Sequence, residues 1–177
     1  FYTTSTSNIH RGDYDISFNV SKKYDGVRDK TAKFLNANRK EEIVFTSGST
    51  ASLNMAIEGL SHLFNKGDTI LTTYLEHASN ILPIFRIAKE KELNVKYIPL
   101  NEDGTFNIEK YKECFDASVK AVCITYVSNV LGYINPIKEI CEIAHENNAL
   151  VLVDGAQAVP HIKVDVKDID CDFLSFS

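Results

Sequence analysis

The sequence has no apolar run long enough to cross a bilayer; its most continuous one, residues 149–153, is strand-sized. It has no basic cluster either. The net charge is −5, with both signs mixed along the chain, which argues against a nucleic-acid partner. No signal or transit pattern opens it, so a cytoplasmic protein without membrane association is expected. Cysteine is sparse. Cys114, Cys123, Cys141 and Cys171 form no C-x-x-C pair, and His161 is the only histidine near Cys171, so no metal site is expected. Cys123 in an apolar stretch and Cys141 on the apolar side of a helical pattern read as small buried hydrophobes in a reducing compartment. There is no G-x-G-x-x-G, no G-K-[ST] and no internal repeat, which removes the dinucleotide fingerprint, the P-loop and the repeat architectures.

What is present is an alternation of strand and helix patterns. With 177 residues, 44% of them hydrophobic, the chain can bury one good core. Residues 21–37 place Tyr24, Val27, Thr31, Phe34 and Leu35 at helical spacing. A short strand is expected at 43–46, and a helix from about Thr50 with Leu53, Ile57, Leu60 and Phe64 inward. Strands follow at 69–73, 94–100, 120–127, 149–153 and 173–176. Helices fall between them at 80–91, with its first turn near Pro83, at 108–115, and from Pro136 with Ile137, Ile140, Ile143 and Ala144 buried. His62 is expected among core positions, His145 near a helix end and His161 in a loop. The fold class is therefore α/β, a mainly parallel sheet flanked by helices. The chain opens on Phe1 and closes at Ser177 inside a predicted strand, so a piece of a longer protein is expected.

Parallel sheets gather ligands beyond the carboxyl ends of their strands. Four polar segments follow different strands here: Ser47-Gly48-Ser49-Thr50, Glu76-His77, Ser128-Asn129 and Asp154-Gly155-Ala156-Gln157. The first leads a small, hydroxyl-rich loop into a helix, which suits a phosphate; plain N-capping by Ser or Thr is the simpler reading of the same residues. Asp154 follows the most apolar strand. There it needs a cationic partner, such as a protonated pyridine nitrogen, or else caps the next segment. His77 can stack on a flat heterocycle or transfer a proton, or be structural. Asn129 offers an amide, or only a turn. His10-Arg11-Gly12 binds an anion or holds a surface ion pair.

Taken in order, His10-Arg11-Gly12, Phe45-Thr46-Ser47-Gly48-Ser49-Thr50 with Asn54, Glu76-His77-Ala78-Ser79-Asn80, Ser128-Asn129-Val130-Leu131-Gly132 and Val153-Asp154-Gly155-Ala156-Gln157 resemble the cysteine desulfurases. These belong to the class V aminotransferase group, and the nearest likeness is to the SUF-type branch with the selenocysteine lyases. The closing Asp172-Phe173-Leu174-Ser175-Phe176-Ser177 resembles the run that leads into that family's G-H-K. Ser49-Thr50-Ala51 departs from the frequent Thr-Thr-Glu; the hydroxyl is kept and the acid is lost.

The resemblance implies a partial large domain of the pyridoxal-phosphate (PLP) transferase fold type I, spanning 1–177. The rest of that domain and a small C-terminal domain would lie outside the chain. It implies that Thr50 and Ser49 bind the PLP phosphate together with Ser177, and that His77 stacks on the ring and moves protons. Asp154 would pair with the ring nitrogen, Gln157 with the phenolic oxygen, and Asn129 with a cofactor oxygen or the substrate carboxylate. The Schiff-base lysine and the persulfide-forming cysteine would lie past Ser177, which would leave this piece inactive alone. The implied reaction releases alanine from L-cysteine and passes sulfur as a persulfide to an acceptor protein for iron–sulfur cluster assembly, in a homodimer. Selenocysteine lyase or another class V enzyme is the nearest alternative, and a non-catalytic α/β binding module is the alternative of another class.

Overall fold

The computed structural model describes residues 3–177, which form two compact units divided between Phe45 and Thr46. In the first, helix α1 (Asp15–Leu35) begins six residues before the expected start and buries Ser17, Val20, Ala32 and Leu35. Val27 and Phe34, expected on its inner face, are 51% and 66% exposed. The helix is capped where Asn36 takes a left-handed φ of 58° and Ala37 N–H returns to the Ala32 carbonyl at 2.8 Å.

The strand expected at 43–46 does not form. A 3-10 turn, Lys40–Glu42, leads into extended backbone at Ile43 with no neighbouring strand among the described residues. The Ile43 carbonyl accepts from the Arg28 guanidinium instead, and that guanidinium also lies 5.6 Å and 4.9 Å from the ring centroids of Tyr24 and Phe45. A side-chain donor on the helix thus replaces the ladder.

The second unit is a five-stranded sheet, entirely parallel. Its strands are β1 (Thr69–Thr72), β2 (Asn94–Tyr97), β3 (Val119–Thr125), β4 (Leu150–Asp154) and β5 (Phe173–Ser175), in the order β2-β1-β3-β4-β5. Successive side chains of a strand point to opposite faces. Ala121, Cys123 and Leu152 therefore share one face, where they form a core with Leu53, Ile57, Leu60 and Phe64 from α2 (Ser49–Ser61) and its exit, and with Ile84 and Ile87 from α3 (Ala78–Lys91). Val122, Ile124, Val151 and Val153 face the other way. On that side α5 (Ile137–Glu146) buries Ile137, Ile140, Cys141, Ile143 and Ala144. Each such aliphatic side chain contributes about 1.5–3 kcal/mol when fully buried. Burial on both faces explains why β3 and β4 read as unbroken apolar runs.

Two short helices complete this unit: α4 (Ile108–Lys112), capped by Asn107, and α6 (Val166–Ile169), capped by Asp165. The second is a single turn that no hydrophobic spacing announced. α3 starts at Ala78 and not near Pro83, which sits in its second turn and deletes one helical N–H. His62 is the exposed C-cap of α2, because Leu60 and Ser61 take the interior positions. Among the described residues, no helix is long and apolar enough to cross a membrane and no His/Cys/Asp/Glu group could hold a metal.

Candidate active site at the carboxyl edge of the sheet

The strand order reverses direction at β1: β2 follows it on one side and β3 on the other. Two successive crossovers then leave on opposite sides, which opens a crevice beyond the strand ends. The register places Thr125 beside Asp154, and Asp154 beside Ser175, at this edge. All three are buried, Asp154 to 4% exposure.

Asp154 Oδ1 accepts from the Ala156 N–H at 3.0 Å. The backbone beyond it turns through residues 156–161 without forming an α-helix, so the carboxylate caps a turn and nothing longer. Burial pushes its pKa above the ordinary aspartate range; the Ala156 N–H and the nearby His77 partly offset this. A carboxylate in that condition favours a cation beside it. Gly155 follows; a Cβ there would lie 2.7 Å from Leu174 Cδ1, so the end of that leucine side chain would have to shift to admit one.

At the start of α2, Gly48 adopts φ 141°, a conformation that L side chains rarely take, and no side chain caps the helix from that position. The Ser49 N–H donates to Ser177 Oγ at 2.9 Å, and the two hydroxyls lie 2.8 Å apart across 128 residues of sequence. At the next residue, Thr50 Oγ1 is 2.9 Å from Ser79 Oγ, which lies 3.0 Å from His77 Nδ1. His77 caps α3, its Nδ1 accepting from the Ser79 N–H at 3.1 Å. In the neutral ring the proton therefore sits on Nε2. Hydroxyls and helical N–H groups from three chain segments thus meet at one rim.

Of the residues expected in the site, Ser49 pairs with Ser177 and the adjacent Thr50 pairs with Ser79, and His77 lies close enough to Asp154 to stabilise its charge. Asn129 is exposed on a turn closed by Gly132 N–H to the Ser128 carbonyl at 2.9 Å, and its side chain bonds to none of the described residues. Gln157 is exposed, with its carbonyl 2.7 Å from His161 Nδ1. His10-Arg11-Gly12 lies in the first unit, where His10 Nε2 is 3.5 Å from Asp25.

Two further residues take part, to which the sequence reading assigned no role of their own. Ser79 links Thr50 to His77. Glu76 turns its carboxyl into the rim, accepting from Thr73 Oγ1 and Asn80 Nδ2, both at 2.7 Å. Burial raises its pKa to about 7, with Asp154 adding to the rise. An acid after a strand followed by Asn at i+4 was the available signal for Glu76.

The profile of the aminotransferase class-V family matches residues 1–177. The chain belongs to the aminotransferase class-V family. It is 44% identical over 179 aligned residues to a probable cysteine desulfurase of Halalkalibacterium halodurans, and 40% identical over 180 to a cysteine desulfurase of Haloferax volcanii. All of this chain is covered in both, but only 44% and 42% of the respective relatives, so it spans less than half their length. The apo cysteine desulfurase of Thermococcus onnurineus superposes with a TM-score of 0.94 at 37% identity, over 99% of this chain and 44% of that one. A structure of SspA in complex with cysteine superposes at 0.89 with 26% identity, over 99% of this chain and 50% of that one. The sheet and its flanking helices are thus the fold of these cysteine desulfurases.

Proposed function

We propose that the protein carrying this chain is a PLP-dependent cysteine desulfurase. The observation that carries this reading is the meeting of a buried carboxylate, an imidazole and a hydroxyl-lined helix N-terminus at the carboxyl edge of a class V sheet. The residues fit PLP at both ends of the group. A carboxylate strained by burial suits a protonated ring nitrogen, and the Ser49 N–H with the Ser49, Thr50, Ser79 and Ser177 hydroxyls suits a phosphate.

When bound, PLP supplies an electron-withdrawing ring that makes the α-carbon of an amino acid acidic. Asp154 would keep a proton on the ring nitrogen. The donors around Ser49 and Thr50 would hold the phosphate. His77 would lie against the ring, with Nε2 free to exchange a proton because Nδ1 is occupied by Ser79. Gln157, exposed after β4, would donate to the phenolic oxygen, and Asn129, exposed after β3, would meet a cofactor oxygen or the substrate carboxylate.

In the proposed reaction the carbon–sulfur bond of L-cysteine breaks and a sulfur–sulfur bond forms on a protein thiolate, giving alanine and a persulfide. Burial pushes the thiols of Cys114, Cys123, Cys141 and Cys171 above their ordinary range, which disfavours a thiolate at any of them. We therefore assign the nucleophilic cysteine, and the lysine that anchors the cofactor, to the portion of the protein outside this chain, which itself is a partial large domain. The persulfide then serves an acceptor protein in iron–sulfur assembly, and the active form is a homodimer in the cytoplasm.

The test is to purify the complete gene product with PLP and supply L-cysteine or selenocysteine. A yellow protein that forms alanine and protein-bound sulfane sulfur in equal amounts is expected from cysteine. A colourless protein that forms no alanine overturns the proposal, and a reaction confined to selenocysteine reassigns the substrate.

A further inference from the structure

Glu76 has no role in the reaction set out above, yet it is built into the rim with care. Both carboxyl oxygens are held, Oε1 by the Thr73 hydroxyl and Oε2 by the Asn80 amide, each at 2.7 Å. Thr73 also accepts from the Leu75 N–H at 3.1 Å, so the whole 73–76 turn is tied to this carboxyl. Asn80 is fully buried, and its Oδ1 has no partner. The residue that follows Glu76 is His77, whose ring approaches Asp154.

We propose that Glu76 is a positioning residue: by pinning the 73–80 segment it fixes the His77 imidazole over the site, and it supplies a second carboxyl behind Asp154 that favours a cationic ring there. This inference rests on the PLP reading. The groups facing Glu76 are Asp154 from the end of β4, the buried Cys123 thiol of β3, the Thr125 backbone and the Thr73 hydroxyl; the adjacent His77 is the titratable group on its own loop. No Lys or Arg stands among the groups that perturb it. Its pKa of about 7, raised by burial, makes the second carboxyl mainly neutral in slightly acidic solution and charged in slightly alkaline solution. A cation arriving beside Asp154 lowers that pKa, so PLP binding and Glu76 ionisation assist each other.

Glu76→Gln is the discriminating variant. Its amide mimics the neutral acid, accepts from Thr73 and, after rotation of the Asn80 amide, can donate to the otherwise unpartnered Asn80 Oδ1. Glu76→Ala removes the pin altogether. The probe is PLP, titrated by absorbance into the complete, cofactor-stripped gene product, with near-ultraviolet circular dichroism reporting how the bound ring is held. At about pH 6 the Gln variant should bind PLP as the wild type does, and at about pH 8 it should bind roughly threefold more weakly. Comparing the two proteins at each pH cancels the titration of PLP itself. The Ala variant should bind about tenfold more weakly at both values and show an altered dichroism band.

A Gln variant that tracks the wild type at both pH values removes the charge role. A folded Ala variant with wild-type affinity and dichroism removes the positioning role; if the Ala variant does not fold, Thr73→Val, which deletes one of the two bonds that hold the carboxyl, takes its place with the same readouts. Wild-type protein that binds no PLP at any pH overturns the cofactor reading itself, and this inference with it.

Discussion

The two edges of the parallel sheet treat their acids in opposite ways. At the amino edge, the exposed Asp116 accepts from the Ser118 hydroxyl at 2.5 Å and the Ser118 N–H at 2.8 Å, and these donors hold it below the ordinary aspartate range. Asp172, at the start of β5, accepts from the Val151 N–H at 2.7 Å and meets His145 at 3.0 Å. Thr69 and Ser118 pair through both backbone and hydroxyl at 2.8 Å. At the carboxyl edge, Asp154 and Glu76 are driven upward by burial. The amino edge satisfies its charges within the protein or in water, so it serves the fold. The carboxyl edge leaves carboxylates poorly solvated and hydroxyls facing one another, an arrangement stabilised by something that brings a positive charge and a phosphate.

Exchanging Asp154 for Ala should break this contrast most severely. We expect PLP retention to be lost and the kcat/KM of cysteine desulfuration to fall by about 10³-fold, measured on the complete protein, because no other carboxylate would pair directly with the ring nitrogen. The Ser49→Ala/Ser177→Ala double variant should come next. PLP affinity should fall about tenfold with unchanged pH dependence, since two neutral hydrogen-bond donors are removed and no charge is altered.

The stability of the cofactor-free protein sharpens the comparison further. Glu76 has a folded pKa of about 7, above its reference of 4.5. The folded state therefore binds more protons in this range. Its contribution is fully present below about pH 4.5 and is lost as pH rises through about 7, by about 3 kcal/mol at most. Urea unfolding across that range should show the loss in the wild type and a flatter profile in Glu76→Gln. The smallest effect belongs to the amino edge. Asp116→Asn should leave PLP affinity unchanged and lower stability slightly and evenly above about pH 5, because a carboxylate with a depressed pKa contributes its stability above the unfolded value and loses it only as pH falls. A clear change in PLP affinity from Asp116→Asn would show that the two edges are not functionally distinct.

Periodicity served well where an element is covered by the sheet and poorly where it is not. The inward set Leu53, Ile57, Leu60 and Phe64 was legible because a whole face of α2 is buried. In α1, by contrast, Val27 and Phe34 shared the expected stripe but face outward, since the short 39–45 segment of its unit cannot cover all of that stripe. The strand expected at 43–46 failed for a related reason: β-rich composition needs a partner strand, and Arg28 took the carbonyl instead. His62 misled because helical spacing does not register where a helix stops. In the site, Asp154, His77, Ser49 and Thr50 could be picked out by their places after strands. Glu76 stood in the same kind of segment, but its role, like that of Ser79, lies in what it touches: Thr73 and Asn80 for one, Thr50 and His77 for the other.

By itself, the sequence determined the alternation of apolar strands and amphipathic helices, and hence a parallel sheet whose polar residues follow the strand ends. Those features depend on local spacing, which a linear chain carries in full. Only the tertiary structure decided that the order reverses at β1, that Ser177 would cap a helix begun 128 residues earlier, and that two acids from separate strands would share one poorly hydrated rim. Proximity and desolvation are properties of the packed chain; no residue possesses them until its neighbours in space have displaced the water.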